Sequence, residues 1–146
     1  MILSNVQTID VFVKSAKLND LKILHLSDLH INKKTNLENV QKLVNLCNDL
    51  VFDFCVITGD IIDTKVKFIK EQLQILNTLK FKVYYISGNH DFFYGLEDLK
   101  NELSNFIFMD NSCKEFIYKN ETIFLAGLPD RFSKFFGIKR EEEKIK

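Results

Sequence analysis

Cysteine is scarce and badly spaced for chemistry. Cys47, Cys55 and Cys113 are odd in number and no two are separated by the two residues of a C-x-x-C pair, which excludes a zinc knuckle and a dithiol redox motif. Cys47 and Cys55 lie in apolar runs and are expected as core thiols of a protein in a reducing compartment. Charge of one sign is also missing: 20 basic residues balance 20 acidic ones. The basic residues are scattered, so no nucleic-acid-binding stripe is read. No apolar run approaches the roughly 20 residues that cross a bilayer, and no basic segment followed by an apolar one opens the chain. The expected location is the cytoplasm, in solution or at a membrane surface. No Gly-x-Gly-x-x-Gly follows the first parallel strand, where Leu26-Ser27-Asp28-Leu29 stands instead; a dinucleotide-binding domain is excluded on that ground.

What is present is apolar bulk: 46% hydrophobic residues and 14 phenylalanines in 146 residues, enough for one folded domain over 1–146. Residues 5–13 alternate well enough for a strand. Leu18-Asn19-Asp20 turns, and residues 21–26 read as a buried strand. Thr35-Asn36-Leu37-Glu38 resembles a capping box with Thr35 as N-cap, and Leu37, Val40, Val44 and Cys47 continue at helical spacing over about 36–49. Residues 54–58 form the next strand. Asp63 or Thr64 is expected to cap a second helix with the stripe Val66, Ile69, Leu73, Leu76 and Leu79. A third strand spans about 81–86, a short helix carries Leu96, Leu99 and Leu103, residues 106–109 form a strand, and 116–118 pairs with 122–126 in a hairpin. The order β-α-β-α-β implies parallel strands with right-handed helical crossovers, whose ligands sit at the carboxyl ends of the strands.

Three polar clusters fall at those ends. Asp28 and His30, two apart, face the same way from an extended strand end, and a carboxylate with an imidazole suits a divalent transition metal. Alone, the pair is more often a capped turn. Gly59-Asp60 ends the next strand; the glycine lets the backbone turn tightly, and the carboxylate can bridge two ions. Gly88-Asn89-His90-Asp91 follows the third strand as a tight turn. Asn89 offers a neutral oxygen, His90 a proton donor or an electrostatic clamp on a phosphoryl oxygen, and Asp91 a carboxylate to hold the His90 ring. His25, inside an apolar strand, reads as a core residue. Phe92-Phe93-Tyr94 reads as packing beneath the third cluster.

Asp28-x-His30, Gly59-Asp60 and Gly88-Asn89-His90-Asp91, in that order on successive strands, resemble the calcineurin-like metallophosphoesterases, and Leu26-Ser27-Asp28-Leu29-His30 is similar to their bacterial branch with a Ser-Asp-Leu-His signature. The resemblance covers about residues 20–130. It implies an α/β fold, a metallophosphoesterase-type β-sandwich flanked by helices, with the β-α-β-α-β portion here and a second sheet expected to be incomplete. It implies hydrolysis of phosphate mono- or diesters at two divalent ions, Mn, Fe or Zn. Asp28 and His30 would bind the first ion, Asp60 would bridge, Asn89 would bind the second, and His90, held by Asp91, would act in catalysis. Family members carry a further histidine and a Gly-His-x-His motif; here the histidines are His25, His30 and His90 alone. The chain is therefore expected to be the N-terminal part of a longer enzyme, to bind metal weakly, to turn over phosphate esters slowly or not at all, and to self-associate through the incomplete sheet. The alternative is a non-catalytic remnant, or a weak metal-binding module, with the same fold.

Overall fold

The computed structural model describes residues 6–145. Four parallel strands, β1 (Ile23–Leu26), β2 (Phe54–Thr58), β3 (Val83–Ile86) and β4 (Phe106–Phe108), lie side by side in chain order. The crossovers are α1 (Leu37–Asp49), α2 (Lys70–Leu76), and the successive short helices α3 (Asn89–Tyr94) and α4 (Leu96–Glu102). Register aligns Leu24, Cys55, Val83 and Phe106 across the sheet, and Leu26, Ile57, Tyr85 and Phe108 one step on. That face and the helices share one core, which holds Val40, Val44 and Cys47 of α1 and Leu73 and Leu76 of α2. Burial pushes the Cys47 thiol up to about 11 and that of Cys55 to about 12, so both stay inert thiols.

The other face meets an antiparallel hairpin, β5 (Ser112–Tyr118) and β6 (Glu121–Gly127). Its two-residue turn, Lys119-Asn120, has φ of 47° and 64°, as a type I′ hairpin requires. Phe116 stacks on Phe54 with centroids 5.3 Å apart and meets Tyr84 edge-on at 4.9 Å. The molecule is therefore a mixed α/β fold: helices, a four-stranded parallel sheet, and a second sheet of two strands. The outer hairpin face presents Ile117 and Phe124, 76% and 66% exposed.

Several expectations change. Asn5 lies outside the described residues, and 6–13 form no strand; Ile9, Val11 and Phe12 are exposed. A strand needs a hydrogen-bonded partner, and this segment pairs with no strand of either sheet. The N-cap of α1 is Asn36, whose side chain accepts from Glu38 N at 2.9 Å, while Thr35 Oγ1 accepts from Asn32 N. The stripe Val66, Ile69, Leu73, Leu76 and Leu79 is buried throughout, yet it is not one helix: a 3₁₀ turn at Val66–Phe68 precedes α2, and Ile69, at φ −135°, separates them. His25 is exposed, on the sheet face the hairpin leaves open beside Ile23, with Nε2 2.7 Å from Thr58 Oγ1. The Gly88-Asn89-His90-Asp91 turn is the first turn of α3, with Gly88 as N-cap.

Candidate metal centre

Past the ends of β1 and β2 the chain segments stay bonded to each other. Asp28 N donates to Gly59 O (3.2 Å), His30 N to Asp60 O (2.9 Å) and Ile31 N to Ile61 O (2.9 Å), and Ile31 pairs with Ile62 in a parallel bridge. Keeping these bonds while turning drives three side-chain-bearing residues into the left-handed region: Asp28 at φ 55°, His30 at 45° and Asp60 at 54°. Asp and His tolerate that region better than most residues, but each such residue still stores strain, and strain of this kind concentrates at functional sites. All three are residues whose side chains carry metal-ligand atoms.

Gly59 and Gly88 let the ends of β2 and β3 touch. A Cβ on Gly59, itself at φ 86°, would lie 2.6 Å from Gly88 Cα; one on Gly88 would lie 2.1 Å from Asp60 Oδ1 and 2.4 Å from Asp60 N. Backbone cannot yield as a flexible side chain does. Gly59→Ala and Gly88→Ala are each expected to lower stability by about 1–3 kcal/mol through overpacking, read as a fall in the urea midpoint. An unshifted midpoint would mean the strand ends are not in contact.

Asp91 ties these loops together, which corrects the role expected for it. Its carboxylate does not contact the His90 ring. It is fully buried, with Oδ2 accepting from Asp60 N and Gly88 N at 2.9 Å and Oδ1 accepting from Ile61 N at 2.9 Å and Ile62 N at 3.2 Å. Burial pushes its carboxyl up to about 6, against the downward pull of the backbone N–H groups of Gly88, Ile62 and Asp60.

The His90 ring is held instead by Asp63, with Nδ1 2.9 Å from Asp63 Oδ1. Asp63 thus caps no helix, since Ile69 occupies that position in α2. It is the functional candidate that the sequence reading missed. A signal was available: an N-cap should stand directly before its helical stripe, and Asp63 precedes Val66 by three residues. His30 and His90 meet edge-on at 4.7 Å, and the His90 backbone N–H donates to Asp60 Oδ1 at 3.0 Å. Two sets of potential ligand atoms each fall within 4.8 Å: Asp28, His30 and Asp60, and His30, Asp63 and His90. His30 belongs to both. Asn89 lines one cleft with Asp28 and Asp60, a space of about 450 Å³ also lined by residues 128–131 and Arg140. Phe92 is buried and Tyr94 is partly buried against the core, 5.9 Å from the His90 ring, while Phe93 is 73% exposed and does not pack.

The family model described as calcineurin-like phosphoesterase matches residues 21–143. An uncharacterised metallophosphoesterase of Campylobacter jejuni is 32% identical over 130 residues, 86% of this chain and 33% of that protein. An uncharacterised metallophosphoesterase of Helicobacter pylori is 30% identical over 111 residues, 75% of this chain and 28% of that protein. The chain thus spans about a third of the length of these curated relatives. Among solved structures, a protein of unknown function from Aquifex aeolicus aligns over 77% of this chain and 63% of its own, with 21% identity and a TM-score of 0.43. Among the described residues no helix is long and apolar enough to cross a membrane. With a family model covering most of its length, the chain belongs to the calcineurin-like phosphoesterases.

Proposed function

We propose that this chain binds divalent metal at the carboxyl ends of β1, β2 and β3 and uses that site to hydrolyse phosphate esters. The observation that carries the reading is the convergence of Asp28, His30 and Asp60, from two strand ends, within 4.8 Å. The donor set fits the ions: carboxylate oxygens and an imidazole nitrogen suit Mn, Fe or Zn. Asp28 and His30 would hold one ion, Asp60 would be shared, and the Asn89 oxygen would serve a second. When bound, such ions supply Lewis acidity toward a phosphoryl oxygen and toward the attacking water.

The chain's own residues supply orientation and proton handling. Asp63 engages His90 Nδ1, which fixes the ring. Nε2 is then the nitrogen free to give a proton to the leaving oxygen or to hydrogen-bond a phosphoryl oxygen. Asp91 acts at one remove, by holding the loops that carry Asp60 and Asn89.

Calorimetric titration of the purified chain with Mn²⁺, alongside an aryl-phosphate assay, tests the reading. Weak Mn²⁺ uptake with slow phosphate release is expected, since no histidine follows His90. Changes in groups that merely orient ligands cost about 10–100-fold in affinity, so Asp60→Asn should weaken Mn²⁺ binding at least about tenfold. Unaltered Mn²⁺ affinity in Asp60→Asn would remove Asp60 from the ligand set.

A further inference from the structure

The cleft carries chemistry that the metal centre does not use. Of the chain's 20 basic residues only Arg131 and Arg140 are arginines, and both line the cleft with Asp28, Asp60 and Asn89, while no lysine does. Neither arginine sits on an unanchored segment. Arg131 opens a 3₁₀ turn, Arg131–Phe136, whose N-cap Asp130 accepts from Phe132 N at 2.7 Å. Asp130 N in turn donates to Ser87 O, just past β3, at 3.0 Å. Arg140 is held by Asn111, which donates through Nδ2 to Lys139 O and accepts through Oδ1 from Glu141 N, both at 2.8 Å.

The Arg140 side chain is only 25% exposed and pairs with Glu142, 3.5 Å from Nη2. Among the described residues its buried Nε meets no hydrogen-bond partner. A buried N–H without an acceptor is rare and costly in a folded protein. Here it belongs to an arginine that lines the same cleft as Asp28, Asp60 and Asn89. A guanidinium presents a planar fork of donors that matches phosphate oxygens two at a time.

Resting on the phosphoesterase reading above, we propose that Arg131 and Arg140 recognise the non-bridging oxygens of the substrate phosphate and select phosphomonoesters over diesters. A monoester near neutral pH offers three non-bridging oxygens and close to two negative charges. A diester offers two such oxygens and one charge. A wall of two guanidinium groups gains most from the first.

The test uses the full chain loaded with Mn²⁺, and two probes, orthophosphate and dimethyl phosphate, each followed by calorimetry. Arg131→Gln and Arg140→Gln are each expected to weaken orthophosphate binding about 10-fold or more, the size of one lost charge-assisted bond, and to change dimethyl phosphate binding far less. Arg140→Lys, which keeps the charge and loses the fork, should fall between. The Mn²⁺ isotherm should be unmoved in all three variants, which separates loss of the anion wall from loss of the metal site. Orthophosphate affinity unchanged in both Gln variants, equal loss for both probes, or no orthophosphate binding to the Mn²⁺-loaded parent would each overturn the assignment. Failure of the parent to take up Mn²⁺ would instead bring down the functional reading on which it rests.

Discussion

Asp91→Ala is expected to lower stability by about 3–5 kcal/mol, the range for breaking a buried charged network. The side chain is fully buried and answers four backbone N–H groups, those of Asp60, Ile61, Ile62 and Gly88. Alanine would leave all four without their acceptor in a place water does not reach, and each buried unsatisfied donor costs about 1–3 kcal/mol before relaxation. Asp91→Asn should recover only part, because one of its two terminal atoms is a donor facing other donors. Urea denaturation followed by circular dichroism reads the effect directly. If Asp91→Ala folded as firmly as the parent and lost only turnover, the carboxylate would be a catalytic group after all.

His90→Ala is expected to lower kcat on an aryl phosphate by about 10²–10⁴-fold, the usual contribution of a positioned general acid or base. Asp63→Asn should move kcat in the same direction by a smaller factor, since the imidazole remains and only the contact that orients it is altered. The decisive companion measurement is Mn²⁺ affinity. His30, Asp63 and His90 are close enough to form a ligand set of their own. A fall in affinity parallel to the fall in kcat would therefore make His90 a ligand. Retained affinity with lost turnover would make it a proton-transfer group or phosphoryl clamp, and near-parental turnover would exclude both roles.

The parallel core was legible in the sequence because apolar runs bounded by Gly-Asp and Ser-Asp have few alternatives. The sequence delimits Phe54–Thr58 to the residue, and the stripe Val66, Ile69, Leu73, Leu76 and Leu79 reads as buried, as it is. Periodicity does not report helix continuity, so the break at Ile69 was not visible. It also does not report which sheet face is covered, so His25, on an apolar strand, looked internal although its face is open. Asp28, His30, Asp60 and Asn89 stand out in the sequence by their place at strand ends, and the structure brings the first three within 4.8 Å with Asn89 lining the same cleft. The exchange of roles between Asp63 and Asp91 does not stand out. Asp91 adjoins His90 in the chain, but at the first turn of a helix neighbouring side chains diverge, so the ring's partner comes from a loop 27 residues earlier. The two arginines gave no sequence signal, because nothing local reveals that residues 131 and 140 return to the ends of strands formed far upstream.

The bonds of Asp91 also constrain the order in which this chain can fold. The hairpin β5–β6 has a two-residue turn, and such units close in about 1–10 μs. The Asp91 contacts span 29 to 31 residues, so their loop-closure entropy must be met by sheet pairing before they yield anything, and contacts of that separation form slowly. They join the end of β2 to the start of α3, which become neighbours only once β3 has registered against β2. Closing the parallel sheet and assembling the loops that carry Asp60, Asn89 and His90 are therefore one kinetic event. A refolding experiment that follows site formation and sheet formation with separate probes should see them rise together, after the hairpin.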